Sequence, residues 1–307
     1  MGMLIEGVWH GEGEFHDADG RFRRQVSQFR AWVSSEEGAL HPPEQGRYHL
    51  YVSAACPWAH RTLIVRALLG LEDCISVSEV APLMLADGWI FDQAHPDPLH
   101  QRRQLHEVYC ASMPKYTGRV TVPVLYDRQR NTIVNNESSE IIRMLNGEFR
   151  SWSNTSLDLY PAPLRPEIDQ MNARTYESIN NGVYKAGFAA TQDAYEQAVT
   201  TLFETLDSLE SHLQSRQYLV GDQLTEADIR LFTTLARFDP VYLGHFKCNL
   251  RALFQYPNLY AYTRRFYHLP KVAETCNLDD IKTHYYGSHP RLNPSGVIPR
   301  GPLRWLA

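Results

Sequence analysis

Of the five cysteines in this chain, Cys56 has the neighbours that make a thiol reactive. It opens the segment Cys56-Pro57-Trp58-Ala59. Before it runs Tyr48-His49-Leu50-Tyr51-Val52, rich in aromatic and β-branched residues, which reads as a strand. After it, Ile64, Ala67, Leu68 and Leu71 recur at helical spacing, with Gly70 as a stop signal. The order strand, turn, helix puts Cys56 at the first turn of the helix. Unpaired backbone N–H groups and the helix dipole stabilise a thiolate there and pull its pKa below the ordinary thiol value. Pro57 suits the first helical position, where its missing N–H costs nothing and its φ is already helical. Trp58 would give the sulfur an apolar shoulder. Ala59 occupies the place of a resolving cysteine, so Cys56 has no local disulfide partner and needs a second thiol from solution. The competing reading of a lone cysteine, a small hydrophobe packed behind a strand, is less consistent with these flanks.

Two further elements suggest where that thiol comes from. Val122-Pro123 falls at the start of a strand, where proline is unwelcome unless it marks an edge or a turn. A cis bond there would leave the Val122 backbone available to an extended peptide, and an ordinary edge-strand proline is the alternative. Glu137-Ser138 opens the next helix. The N–H groups and the Ser138 hydroxyl suit an α-carboxylate and Glu137 suits an α-ammonium, although the pair read alone is equally a first-turn cap. Taken with Cys56, these elements describe a site for an extended tripeptide carrying both groups on one residue, which is glutathione, an abundant cytosolic thiol.

The elements that must position these residues fall in the order β-α-β, insertion, β-β-α. Cys74-Ile75-Ser76-Val77-Ser78-Glu79-Val80 alternates as a strand, an insertion rich in Asp, His, Pro and Gln follows over about 81–118, and Val120–Tyr126 and Thr132–Val134 read as short strands. A helix through Ile141, Ile142, Met144 and Leu145 completes the series. The order is the thioredoxin-like one, placed over 47–147 behind an irregular extension at 1–46. A linker spans 148–164, and an all-helical domain is expected over 165–275. There Ala198, Leu202, Leu206, Leu209 and Leu213 form an amphipathic stripe, and Thr225-Glu226-Ala227-Asp228 resembles a capping box. Residues 276–307 read as a tail packed on the body. The expected fold class is therefore α/β plus all-α, a thioredoxin-like domain followed by a helical one.

Composition excludes other classes. At 307 residues the chain suits two domains, and 43% hydrophobic with 21% charged residues weighs against both disordered and membrane classes. No apolar run is long enough to span a bilayer, and residues 1–10 have no basic n-region or long apolar run, so no secretion signal is expected. A net charge of −5 argues against nucleic acid. The cysteines are odd in number and widely spaced with no Cys-x-x-Cys pair, so neither a structural metal nor a disulfide framework is expected. The expected compartment is the reducing cytosol.

The residues also carry a resemblance. Tyr48–Ser53, Cys56-Pro57-Trp58-Ala59-His60-Arg61 and Gly118-Arg119-Val120-Thr121-Val122-Pro123-Val124-Leu125 closely resemble the glutathionyl-hydroquinone reductases, the Xi class of the glutathione transferase superfamily. Asn180-Asn181-Gly182-Val183-Tyr184-Lys185-Ala186-Gly187-Phe188, Leu224–Arg230, Phe238-Asp239-Pro240-Val241-Tyr242, His284-Tyr285 and Asn293-Pro294-Ser295-Gly296 continue it, over about 1–302. The resemblance implies the glutathione transferase fold, with Cys56 as nucleophile. It implies a glutathione site at Trp89, Arg119, the Val122 backbone, Glu137 and Ser138, and a hydroquinone site lined by Tyr184, Tyr242 and Tyr285. With 17 tyrosines in the chain, none of the three stands out without it. It further implies reduction of glutathionyl-hydroquinones with formation of oxidised glutathione, no bound cofactor beyond glutathione as co-substrate, and a homodimer formed through the C-terminal domain. Asn135-Asn136 departs from the Ser-Asn expected before Glu137, and Asn135 is not expected to be a ligand.

Two rivals remain open at this point. A cysteine-type thioltransferase or dehydroascorbate reductase would share Cys56 and Glu137-Ser138 without needing the tyrosines. A non-catalytic binding module on the same fold would not need Cys56 at all.

Overall fold

Strand β3 (Tyr48–Val52) is buried along its whole length and forms the centre of the first half of the chain. The computed structural model describes residues 2–11, 19–303 and 305–306, so the 12–18 stretch of the expected extension lies outside the described residues. Before β3 come two short strands, β1 (Met3–Ile5) and β2 (Val8–His10), paired antiparallel across Glu6-Gly7. Both turn residues have positive φ, the geometry of a two-residue hairpin loop. The extension was expected to be irregular; three-residue strands are too short to show a period.

Helix α1 (Pro57–Leu68) follows β3, and Gly70 closes it in the left-handed region at φ +67°. Then come β4 (Ser76–Glu79), α2 (Leu105–Ser112), β5 (Val124–Asp127), β6 (Thr132–Asn135) and α3 (Ser138–Gly147). The strands form a four-stranded sheet in the order β4-β3-β5-β6, parallel between β3 and β4 and antiparallel elsewhere. Leu50 pairs with both Val77 and Leu125, so the apolar centres of three strands are in register. This is the thioredoxin-like β-α-β…β-β-α series expected from the sequence. Two details differ. The 81–118 stretch contains α2, whose capping box between Gln104 and Glu107 and buried Leu105, Val108 and Tyr109 form too short a pattern to stand out. The third strand of the sheet begins at Val124 rather than Val120, since Pro123 has no N–H for a ladder.

The second half is helical: α4 (Arg165–Thr175), α5 (Gly182–Gly187), α6 (Gln192–His212), α7 (Glu226–Leu235), α8 (Pro257–Tyr267) and α9 (Leu278–Ser288). Widened π turns at Tyr176–Asn180 and Phe238–Tyr242 interrupt the regular helices; Pro240, which has no N–H, sits inside the second. The expected stripe from Ala198 to Leu213 is buried, and α6 packs against α5, the Tyr176–Asn180 turn and α8. The expected capping box is present: the Thr225 N–H reaches Asp228 Oδ2 at 2.9 Å, while Leu219 N–H and the Tyr262 hydroxyl reach Asp228 Oδ1 at 2.9 Å each. Helix α9 lies where a tail was expected.

Contacts divide the chain into two units: Met1–Glu14, Gln25–Leu157 and Thr275–Asp280 in one, Phe15–Arg24, Asp158–Glu274 and Ile281–Ala307 in the other. Among the described residues no helix is long and apolar enough to cross a membrane.

Candidate active site

Cys56 is the N-cap of α1, in extended conformation, with Pro57 at the first helical position. No acidic residue lies in the first turn of α1, so nothing there opposes the dipole's pull on an anionic sulfur. The sulfur is half-buried, and Sγ lies 3.5 Å from the carbonyl of Val122. Val122-Pro123 is a cis peptide. Among the described residues the Val122 N–H has no hydrogen-bond partner, so this backbone presents a donor beside the thiol.

The helix α3 begins beside α1. Glu137 is its N-cap: Oε1 accepts from the Ser139 N–H at 3.1 Å and the Ser139 hydroxyl at 2.9 Å, and Oε2 accepts from the Ser27 hydroxyl at 3.2 Å. Its own N–H donates to Asn135 Oδ1 at 2.7 Å. Asn135 thus shapes the turn that carries Glu137, a role its position outside the expected ligand set did not suggest. Ser138, the first residue of α3, accepts from Arg61 Nη1 at 3.3 Å.

Arg61 is buried on α1 and its guanidinium also stacks on the Trp58 ring, 4.4 Å from the centroid. A buried arginine is costly unless held, and here it ties the reactive turn to the second helix start. Sequence reasoning quoted Arg61 but gave it no role; a charge inside an otherwise apolar helix face was the available signal. Trp89 is buried in the 81–104 stretch, where its carbonyl accepts from the Leu105 N–H at 2.9 Å. Arg119 is half-buried and its N–H donates to Gln25 Oε1 at 2.9 Å. Ser27 and Gln25 had no sequence signal, because they lie about a hundred positions from their partners.

In the second unit, Tyr184 (α5), Tyr242 (the second π turn) and Tyr285 (α9) come together. The hydroxyls of Tyr184 and Tyr285 are 2.6 Å apart, and those of Tyr242 and Tyr285 are 3.1 Å apart. Burial pushes the phenols of Tyr242 and Tyr285 well above the ordinary value, so both stay protonated near neutral pH. Tyr184 is only partly buried, and the Arg24 guanidinium lies 5.1 Å from its ring centroid. Arg24 in turn donates from Nε to Asn181 Oδ1 at 3.0 Å. This chain of hydroxyls is suited to holding and passing protons.

Three of the other four thiols differ from Cys56. Burial pushes Cys74, Cys110 and Cys248 up, which disfavours their thiolates. All five cysteines are outside disulfides. Among the described residues no group of three or more His, Cys, Asp or Glu could hold a metal ion.

Comparison with known proteins agrees with this layout. Residues 55–148 match the family model "Glutathione S-transferase, N-terminal domain", and 192–265 match "Glutathione S-transferase, C-terminal domain". The chain is 54% identical to the glutathionyl-hydroquinone reductase PcpF of Sphingobium chlorophenolicum, over 100% of this chain and 98% of that protein. A Xi-class glutathione transferase from Natrialba magadii superposes with TM-score 0.94 at 47% identity, covering 100% of this chain and 94% of the other. The glutathione-bound structure of YqjG from Escherichia coli superposes with TM-score 0.91 at 48% identity, covering 99% and 97%. The chain belongs to the glutathione transferase superfamily and, within it, to the Xi-class glutathionyl-hydroquinone reductases.

Proposed function

We propose that the protein reduces glutathionyl-hydroquinones to free hydroquinones with glutathione as co-substrate, and that Cys56 is the nucleophile. The observation that carries this reading is the sulfur at the N-terminus of α1, 3.5 Å from the Val122 carbonyl, with Ala59 where a resolving thiol would stand. The Cys56 thiolate attacks the sulfur of the glutathionyl thioether. The electrons of the aryl C–S bond pass to the ring carbon, which takes up a proton, and the hydroquinone leaves. A Cys56–glutathione mixed disulfide remains. A second glutathione thiolate attacks its glutathionyl sulfur, releasing oxidised glutathione and the Cys56 thiolate. The aryl carbon is reduced by two electrons, supplied by the thioether sulfur and the incoming glutathione sulfur as they join in oxidised glutathione.

In this reading Trp89, Arg119, the Val122 backbone, Glu137 and Ser138 bind glutathione. Helix-start N–H groups and Ser138 suit its α-carboxylate, and the Glu137 carboxylate suits its α-ammonium. Tyr184, Tyr242 and Tyr285 take the hydroquinone and its proton traffic. The continuous hydroxyl chain, at 2.6 and 3.1 Å, supports that assignment. The same proposal includes a homodimer and a cytoplasmic location, the latter supported by thiols that all lie outside disulfides.

Mass spectrometry of the intact protein after exposure to a glutathionylated hydroquinone tests the first half-reaction. A single glutathione adduct on Cys56 is expected, removed by added glutathione. Turnover without that adduct would overturn the mechanism. A large preference for hydroxyethyl disulfide over the conjugate would favour the thioltransferase alternative.

A further inference from the structure

The chain from Gln25 to Ala31, though largely exposed, is bonded along the sheet edge at β6, with Arg30 bridged to Asn135. The Ala31 N–H donates to the Val134 carbonyl at 3.1 Å, and the Asn136 N–H donates to the Phe29 carbonyl at 3.1 Å. The Phe29 N–H returns to Asn136 Oδ1 at 3.2 Å, and the Asn135 amide donates to the Ala31 carbonyl at 3.0 Å. Phe29 is buried against Tyr109 and Tyr116, at ring distances of 5.6 and 5.5 Å. The segment is thereby fixed like an added edge strand, and it ends on two residues of the glutathione site.

The single Ser27 hydroxyl proton is shared between Glu137 Oε2 and the Asn136 carbonyl, each 3.2 Å from Oγ. Gln25 Oε1 accepts the Arg119 N–H at 2.9 Å, and Gln28 Nε2 donates to the Thr117 carbonyl at 2.7 Å. Between them lies Gly118, where a Cβ would come within 2.7 Å of Gln28 Nε2, 2.9 Å of the Tyr116 hydroxyl and 3.0 Å of Gln25 Nε2. A Cβ at 118 would displace the amide ends of Gln25 and Gln28 from these positions. Ser139 holds Glu137 Oε1, so Ser27 is what restrains the other oxygen, and Gln25 sets the backbone from which the Arg119 side chain departs.

We infer that Gln25 and Ser27 are positioning residues of the glutathione site, and that the N-terminal segment is a functional part of it. This rests on the reading of Arg119 and Glu137 as glutathione ligands. A carboxylate held at both oxygens by neutral donors keeps its direction, so an incoming ammonium meets a preorganised partner.

Titration calorimetry with S-methylglutathione, a non-reacting thioether, tests it on the full chain. Wild type is expected to bind saturably. Ser27→Ala and Gln25→Leu are expected to bind about five- to tenfold more weakly, the scale of one hydrogen bond. Ser27→Thr and Gln25→Glu, which keep the donor and the acceptor, restore much of the affinity. Gln25 is exposed and Ser27 half-buried, so thermal midpoints and the rate of Cys56 alkylation by iodoacetamide are expected to stay at wild-type values. Wild-type binding with both variants within twofold overturns the inference and leaves the glutathione reading standing. Weaker binding accompanied by a matching fall in midpoint, with no rescue by Ser27→Thr, reduces the segment to a structural strap and also overturns it. Absence of binding by wild type overturns the glutathione reading itself.

Discussion

Arg61 Nη1 meets Ser138 Oγ at 3.3 Å, a buried contact that joins α1 to the first turn of α3. Removing the guanidinium deletes this bond, the stacking on Trp58, and the volume the side chain fills. Arg61→Ala is therefore expected to lower unfolding free energy by about 2–4 kcal/mol and to weaken glutathione binding. Urea unfolding and calorimetry on the same samples read both effects. Unchanged stability would show that the buried cation is not held by these contacts.

Cys56→Ala is expected to abolish turnover of a glutathionyl-hydroquinone, because it removes the thiol at the N-cap of α1 beside the Val122 carbonyl. Steady-state assay of hydroquinone release measures it. Residual activity within tenfold of wild type would sink the nucleophile assignment. In wild type, limiting iodoacetamide is expected to label Cys56 ahead of Cys74 and Cys248, which are buried.

Tyr184→Phe removes one hydroxyl from the 2.6 Å contact with Tyr285 while keeping the ring under Arg24. The loss is expected to fall on hydroquinone release, by about tenfold or more, with S-methylglutathione affinity changed less than twofold. Equal losses in the two assays would count against a distinct hydroquinone site built on these tyrosines.

Acid is expected to destabilise the fold through buried histidines. Burial lowers His49 and His245 to about 4, and lowers His289 well below the ordinary value. His245 Nε2 and His289 Nδ1 are 3.1 Å apart, so protonating both would place two cations in an aromatic core. The unfolded chain takes up these protons near pH ~6.5 and the folded chain does not until about 4. The unfolded state thus binds more protons in that window, and stability falls as pH drops from ~6.5 through about 4. Glu79 and Asp239, pushed up by burial, act in the opposite sense over part of the range. The histidine share is read as the difference in urea midpoint, pH 7 against pH 5, between wild type and His245→Phe. An identical pH slope in the two would refute it for His245.

Much of the site could be read locally. The strand before Cys56, Pro57 at the first helical position and the apolar spacing after it are all short-range signals, and the structure has the helix starting where they say. The Thr225–Asp228 capping box and the α6 stripe were legible for the same reason. Helix α2, helix α9 and the β1–β2 hairpin were not, since each is too short or too weakly patterned for a period to emerge. Their apolar residues are buried by partners distant in the chain, as with Tyr109 against Phe29.

By itself the sequence determined the chemistry's type: a thiol at a helix start without a local resolving partner, a Val-Pro turn, and an acidic helix opening. Those properties depend on neighbours within a few positions, and backbone propensity and dipole act at that range. The tertiary structure alone decided which distant groups hold that chemistry in place. Arg61 on Ser138, Ser27 on Glu137, Gln25 on Arg119 and the joined hydroxyls of Tyr184, Tyr242 and Tyr285 pair residues tens to over a hundred positions apart. Such pairs exist only after the sheet and the helices have closed, because packing rather than local preference brings their donors and acceptors within bonding distance.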